Sequence, residues 1–178
     1  MEELNRKTVE DVRNSDKNPI IVVLDNIRSM HNVGSVFRTA DAFLIKAVYI
    51  CGYTPRPPHR DIQKTALGAT DTVEWKYFPS TKEAINLLKE EDFSIYAIEQ
   101  TVGSKSLKEA GDMGISKLAV IFGNEVEGVS NEVLTSCDGS IEIPQWGMKH
   151  SLNISVAAGI VLWELVRNRM PPTPGVES

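Results

Sequence analysis

Pro19-Ile20-Ile21-Val22-Val23-Leu24-Asp25 decides the fold class. The run is continuously aliphatic and largely β-branched, with no polar residue alternating in it. A half-solvated strand would show that alternation, so this one is buried on both faces, as strands are when helices cover both sides of a parallel sheet. The chain must therefore supply helices between its strands.

It does so on either side of this run. After it, Asn32 is placed to cap a helix in which Val33, Val36, Phe37, Ala40 and Phe43 or Leu44 recur at helical spacing, with Gly34 permitting close backbone approach and Arg38 in the middle. Ala47–Cys51 reads as the next strand, and the proline-rich Tyr53–Pro58 as an exposed loop. A short helix follows over Asp61–Leu67, ending at Gly68. Val73–Phe78 reads as strand, Ser80–Glu91 as an amphipathic helix capped by Ser80 or Thr81, and Phe93–Ile98 as strand. Glu99–Gly114 is polar and glycine-bearing, without regular pattern. Leu118–Phe122 returns to strand and Asn131–Ser136 to helix. Ile141–Ile143 is a last short strand, and a long apolar helix opens at Ser151-Leu152-Asn153 and runs on through Val166. The alternation predicts an α/β fold, a mostly parallel sheet flanked by helices on both faces. Residues 19–170 form one domain, residues 1–18 a charged extension that is helical or frayed, and residues 171–178 a disordered tail.

The 178 residues carry a net charge of −5. That balance argues against coating nucleic acid through bulk positive charge, but it leaves room for a local basic surface. Arg28, Arg38, Arg56, His59, Arg60 and Lys64 all fall early in the chain. No apolar run suits a signal peptide or a membrane span, so the expected location is cytoplasmic, with no membrane partner. Cys51 and Cys137 stand far apart without metal-ligand spacing, and read as reduced, partly buried thiols; no metal is expected.

A parallel sheet binds ligands beyond the carboxyl ends of its strands. The loop after the first strand, Asp25-Asn26-Ile27-Arg28-Ser29-Met30-His31-Asn32-Val33-Gly34, holds neither GxGxxG nor a P-loop, which argues against an ordinary Rossmann or nucleoside triphosphate site. Its amides and guanidinium suit phosphate oxygens or a polar base edge. After Phe122 comes Gly123-Asn124-Glu125-Val126-Glu127-Gly128, whose glycines bracket an acidic turn. After Ile143 comes Pro144-Gln145-Trp146-Gly147-Met148-Lys149-His150, leading into Ser151 and Asn153. Singly these segments read as turns and helix caps. Three on one sheet edge make a constellation.

Together they resemble the three motifs of the SpoU (TrmH-like) RNA 2′-O-ribose methyltransferases of the SPOUT superfamily. The first motif is similar at Asn32, Gly34 and Arg38, with Asn26 and Arg28 upstream. The second is similar at Gly123, Glu125 and Gly128, and the third at Ile143-Pro144, Gly147, Ser151-Leu152-Asn153, Ser155 and Ala157. One departure is Gln145-Trp146, where the family usually has methionine after Ile-Pro. The resemblance spans roughly 19–169.

This resemblance implies a C-terminal deep trefoil knot, an exception to the unknotted rule. It implies S-adenosylmethionine as methyl donor, held at Gly123, Ile143, Ser151 and Leu152, with Thr101 beside them. It implies a homodimer whose site is completed by the partner's first motif. The apolar helix from Leu152 to Val166 fits a dimer, because such a helix must be covered on all sides. The implied catalytic set is Arg38, Asn32, Glu125, Ser151 and Asn153. Arg38 is often described as the general base; guanidinium is a poor base, so a role in orienting phosphate and stabilising the forming alkoxide is expected instead. Asn32 is expected to hold the substrate or Arg38, and Glu125, Ser151 and Asn153 to position the donor and the ribose. His31 and His150 are candidate proton acceptors. Arg28, Arg38, Arg56 and Arg60 are expected to touch RNA, with tRNA favoured over rRNA. The chain shows no added RNA-binding domain, so target selection is expected from the domain, its dimer or another protein. Base methylation by a related knotted enzyme, or noncatalytic RNA binding, are the alternatives.

Overall fold

The computed structural model describes residues 7–148 and 150–169. The tail expected over 171–178, and the start of the extension expected over 1–18, lie outside them. The described strands are β1 (Asn18–Asp25), β2 (Ile45–Cys51), β3 (Glu74–Phe78), β4 (Ser94–Ile98), β5 (Lys105–Ser106), β6 (Leu118–Phe122) and β7 (Gly139–Glu142). They form one sheet in the order β3-β2-β1-β6-β4-β7-β5, and every pairing among them is parallel.

Burial within β1 explains its unbroken apolar run. Ile20, Val22 and Leu24 face a core shared with α2 (Met30–Ala42), α3 (Arg60–Ala66), α5 (Leu107–Ala110) and α7 (Ile154–Val166). Ile21 and Val23 face the opposite core with α4 (Thr81–Glu90) and α6 (Asn131–Ser136). Neither set reaches water. The remaining helix, α1 (Val9–Arg13), is held by a capping box between Thr8 and Asp11, and Arg13 Nε donates to the Asp71 carbonyl at 2.5 Å.

The strand order places the site. From β1 the chain builds outward through β2 and β3, and β6 then returns to β1's other edge, with Leu24 paired to Phe122. The helix after β1 goes to one face and the helix after β6 to the other. Loops leaving neighbouring strands in opposite directions open a crevice between them, which is where open α/β sheets hold ligands.

Several expectations need correction. The cap of α2 is Ser29, whose hydroxyl accepts the Asn32 N–H at 3.2 Å, so Asn32 lies inside the first turn with its side chain free for other work. The Tyr53–Pro58 loop is not simply exposed: Thr54 is buried, donating to the Leu24 carbonyl at 3.2 Å and accepting the Ile27 N–H at 2.9 Å. The stretch read as irregular contains β5 and α5, the latter with a capping box between Ser106 and Glu109. Gly34 does serve close approach: a Cβ there would meet the Ile62 carbonyl oxygen of α3 at 2.3 Å.

Candidate active site

The loops after β1 and β6 are joined by one carboxylate. Glu125 accepts the Arg28 N–H on Oε2 at 3.0 Å, and the Ser29 N–H and Asn32 Nδ2 on Oε1 at 3.1 and 3.2 Å. Asn153, from the loop after β7, donates its Nδ2 to Asn32 Oδ1 at 3.3 Å. Its own Oδ1 accepts the Ser155 N–H at 2.9 Å and so caps α7. A chain of side chains, Glu125 to Asn32 to Asn153, thus brings the three sequence segments to one point.

The turn carrying Glu125 is made rigid by its neighbours. Asn124 and Gly128 exchange backbone hydrogen bonds of 3.1 and 2.9 Å, and the buried Asn124 side chain accepts the Val126 and Glu127 N–H groups at 2.8 and 3.1 Å. Gly128 closes the turn at φ +69°, a conformation other residues rarely adopt. Gly123 packs against it so closely that a Cβ would lie 2.3 Å from the Gly128 carbonyl carbon.

Burial alone would raise the proton affinity of Glu125. The N–H groups of Arg28, Glu125 itself and Ser29, with the Asn32 amide, outweigh it and hold the carboxyl below its ordinary value. Glu125 is therefore an anion at neutral pH, and it belongs to the scaffold of the first loop.

Beside this junction lies a cavity of about 690 Å³, walled by the ends of β4, β6 and β7 and the first turn of α7. Gly123, Ile143, Ser151, Leu152 and Thr101, the residues expected to hold the methyl donor, all line it, together with Glu125, Asn153 and His150. Thr101 is held there through its hydroxyl, which hydrogen-bonds Ser140. Ile98, Phe122 and Leu134 supply apolar wall. Glu99, Glu127 and Glu142 supply negative charge, while no Lys or Arg lines the cavity among the described residues. Such a lining suits a ligand carrying positive charge and an apolar ring.

Sequence reasoning missed Asn124 and Glu99. Asn124 Nδ2 donates to the Asn26 carbonyl at 2.9 Å and to the Tyr53 hydroxyl at 2.8 Å, joining the loops after β1, β2 and β6. Glu99 accepts the Val129 N–H at 3.2 Å at the back of the Gly128 turn. The only sequence signal for either was a polar residue within two positions of the end of a buried strand.

Arg38 is not at the junction. It is exposed near the middle of α2, lines no part of the cavity, and its side chain makes no hydrogen bond among the described residues. Asn32 is expected to hold the substrate or Arg38; within one subunit its amide is bonded to Glu125 and Asn153 instead of to Arg38. His31 is exposed outside the cavity as well. Arg28 reaches the site through its backbone only, Arg60 is exposed at the start of α3, and Arg56 stacks over Tyr77 at 4.1 Å from the ring centre. Burial pushes the Cys51 thiol up to about 12 and the Cys137 thiol up to about 11, which disfavours the reactive thiolate.

An all-parallel α/β sheet with this junction at its carboxyl edge defines the class only as a ligand-binding α/β domain, and comparison with known proteins supplies the family. The model of the SpoU rRNA Methylase family matches residues 19–163, and the chain belongs to that family. It is 33% identical to the tRNA (guanosine(18)-2′-O)-methyltransferase of Thermus thermophilus over 168 residues, covering 94% of this chain and 84% of that protein. It is 32% identical to the 23S rRNA (guanosine-2′-O-)-methyltransferase of Vibrio vulnificus over 170 residues, covering 94% of this chain and 67% of that protein. The crystal structure of the A. aeolicus TrmH/SpoU tRNA modifying enzyme superposes with a TM-score of 0.80 at 28% identity, over 90% of this chain and 80% of that one. The AdoMet-bound rRNA methyltransferase from Sinorhizobium meliloti, 24% identical with a TM-score of 0.79, shares the fold; the match covers 90% of this chain and 61% of that one.

Proposed function

We propose that this protein transfers a methyl group from S-adenosylmethionine to a ribose 2′-hydroxyl of RNA, with tRNA favoured over rRNA. One observation carries the reading: the Glu125–Asn32–Asn153 junction stands at the rim of a cavity whose lining suits a cation. The names of the relatives, on tRNA and on 23S rRNA, give the same reaction.

The residues fit the donor. Gly123, Ile143, Ser151 and Leu152 offer backbone groups and apolar surface, Thr101 a hydroxyl, and Glu99, Glu127 and Glu142 charge opposite to a sulfonium. When bound, S-adenosylmethionine supplies a methyl group already activated on positively charged sulfur, a chemistry that calls for no metal. Asn32, Glu125 and Asn153 act as positioning residues, fixing the loops on which the RNA ribose is received.

Stabilising the 2′-oxygen as it loses its proton falls to Arg38. In one subunit Arg38 stands away from the cavity, so we read the working enzyme as a homodimer in which Arg38 of the partner subunit enters the site. The apolar stripe Val156, Ile160 and Trp163 on α7 supports this, since each is 40–53% exposed on a helix otherwise built for a core. Arg38 orients a phosphate and stabilises negative charge, and the proton leaves to phosphate or water. His150 lines the cavity and is the nearer of the two histidine candidates.

The strand order supports the expected knot: β7, last in sequence, inserts between β4 and β5. No helix among the described residues is long and apolar enough to cross a membrane; cytoplasmic placement is proposed from the RNA-modifying relatives.

The test is nucleoside analysis. Unmodified tRNA transcripts and 23S rRNA, incubated with the protein and S-adenosylmethionine, are digested and separated by mass spectrometry. A 2′-O-methylnucleoside is expected. A methylated base, or no product, refutes the reading.

A further inference from the structure

We infer that Tyr53 is a stacking platform for an RNA base next to the methylated nucleotide. The inference rests on the function proposed above and goes beyond it by assigning a residue and a mode of contact.

Tyr53 is fixed at both ends. Its backbone N–H donates to Asn26 Oδ1 at 3.2 Å, and its hydroxyl accepts Asn124 Nδ2 at 2.8 Å. The next residue, Thr54, is buried and bonded to the Leu24 carbonyl and the Ile27 N–H. Between these anchors the residue remains 57% exposed. An aromatic ring held this firmly and left in water gives up hydrophobic burial, and a structural tyrosine would turn its face into the core. Trp146, by contrast, is 93% exposed and its ring makes no hydrogen bond among the described residues.

The position is apt. Asn124, which holds the hydroxyl, directly precedes Glu125, and Asn26, which holds the backbone, lies two residues before Arg28. Both belong to the loops that form the junction. A ribose can present its 2′-oxygen to the site only if its nucleotide leaves the regular stack, and the neighbouring base then needs another surface. An aromatic face meets that need for any base. Arg56, stacked on Tyr77 three residues further along the same loop than Tyr53, keeps the edge of its guanidinium available for phosphate.

The alternative is that Tyr53 serves only to receive the Asn124 hydrogen bond, and two substitutions separate the cases. Tyr53→Phe keeps the ring and loses the hydroxyl, whereas Tyr53→Leu keeps apolar bulk and loses the aromatic face. With unmodified tRNA transcript as probe, Tyr53→Leu is expected to raise the RNA Kd and KM roughly tenfold while S-adenosylmethionine affinity stays unchanged. Tyr53→Phe, which keeps the stacking face, is expected to raise Kd and KM clearly less than Tyr53→Leu does. Unchanged RNA affinity in Tyr53→Leu overturns the inference, as does equal loss in the two variants or a parallel loss of donor affinity. Wild-type protein that binds the transcript but methylates no ribose refutes the function and leaves Tyr53 measurable by binding. Wild-type protein that binds no transcript refutes both.

Discussion

Asn32 and Asn153, separated by 121 residues in sequence, share a hydrogen bond of 3.3 Å, and the donor is Asn153 Nδ2. The same Asn153 uses its oxygen to cap α7, and the same Asn32 uses its nitrogen to reach Glu125. Each amide is therefore read at both ends. The arrangement has a direction, from the capped helix toward the carboxylate, and that direction can be tested.

Asn153→Asp preserves the cap, because a carboxylate oxygen still accepts the Ser155 N–H. It cannot donate to Asn32. Two acceptors then face each other, and turning the Asn32 amide would only move the conflict to Glu125. We expect thermal stability close to wild type and methyl transfer reduced roughly tenfold to a hundredfold through misplacement. Asn153→Ala should lose the cap too, at about 1 kcal/mol of stability by chemical denaturation.

Glu125 makes the acid side of the stability profile informative. Folding lowers its pKa, so the folded protein binds this proton less tightly than the unfolded chain. The stabilisation is complete above the ordinary value of 4.5 and is lost as pH falls through the lowered one. Glu125→Gln places an NH₂ group against one of the two N–H donors of Arg28 and Ser29. Melting curves should separate wild type from this variant most at neutral pH, and the gap should close on acidification. A gap that persists to the acid limit would show that charge is not what holds the loop.

Asp25 behaves in the opposite sense. It is buried at the end of β1, and burial raises its pKa against the hydrogen bonds from Thr81 and Asn26. Its stabilising form is the protonated one, present below the ordinary value of 3.8 and lost as pH rises through the raised one. Thr81 Oγ1 and Asn26 Nδ2 both donate to Oδ1, at 2.5 and 3.0 Å. Asp25→Asn can keep that oxygen and both bonds while removing the buried charge. The variant should melt higher than wild type at pH 8 and equally near pH 3, a comparison that calorimetry at the two pH values makes directly.

These two carboxyls mark how far sequence reaches. The aliphatic run at Ile20–Leu24, the strand Leu118–Phe122 and the helix Asn131–Ser136 follow from local pattern, because burial on two faces and helical spacing are written in adjacent residues. Glu125 was legible as a candidate site residue through motif spacing, and Gly34 as a point of close backbone approach. The partners of Glu125 were not, since a carboxylate that accepts N–H groups 96 and 97 positions earlier reads in sequence like any acidic turn. Asn124 was hidden for the same reason. The short β5 and α5 escaped because two and four residues are too few to show a period. Arg38 was legible as a residue but not as a position, because helical spacing fixes which side of α2 it occupies and says nothing of what lies opposite.

Gly34 tests the packing of α2 on α3. A Cβ there would lie 2.1 Å from Thr65 Oγ1 and 2.3 Å from the Ile62 carbonyl oxygen. The hydroxyl can rotate away, but the carbonyl is backbone. Gly34→Ala should destabilise by about 1–3 kcal/mol in urea unfolding, and it should weaken methyl transfer as well, since the start of α2 carries Asn32.

The position of Arg38 leads to the most demanding experiment. If the site takes Arg38 from the partner subunit and Asn153 from its own, each single variant, Arg38→Ala or Asn153→Asp, is defective in both sites of its homodimer. Mixed by unfolding and refolding together, equal amounts give about half heterodimers by random pairing. In each heterodimer the Arg38→Ala chain keeps its own Asn153 and receives an intact Arg38 from its partner, so one of its two sites is whole. Methyl transfer should return to roughly a quarter of the wild-type rate, given independent sites. An arginine acting within its own chain leaves no whole site in any combination, and the mixture would stay as inactive as its components. Trp163→Glu is the companion measurement: a carboxylate on the exposed stripe of α7 should shift the protein to monomer in sedimentation velocity and abolish transfer while S-adenosylmethionine still binds.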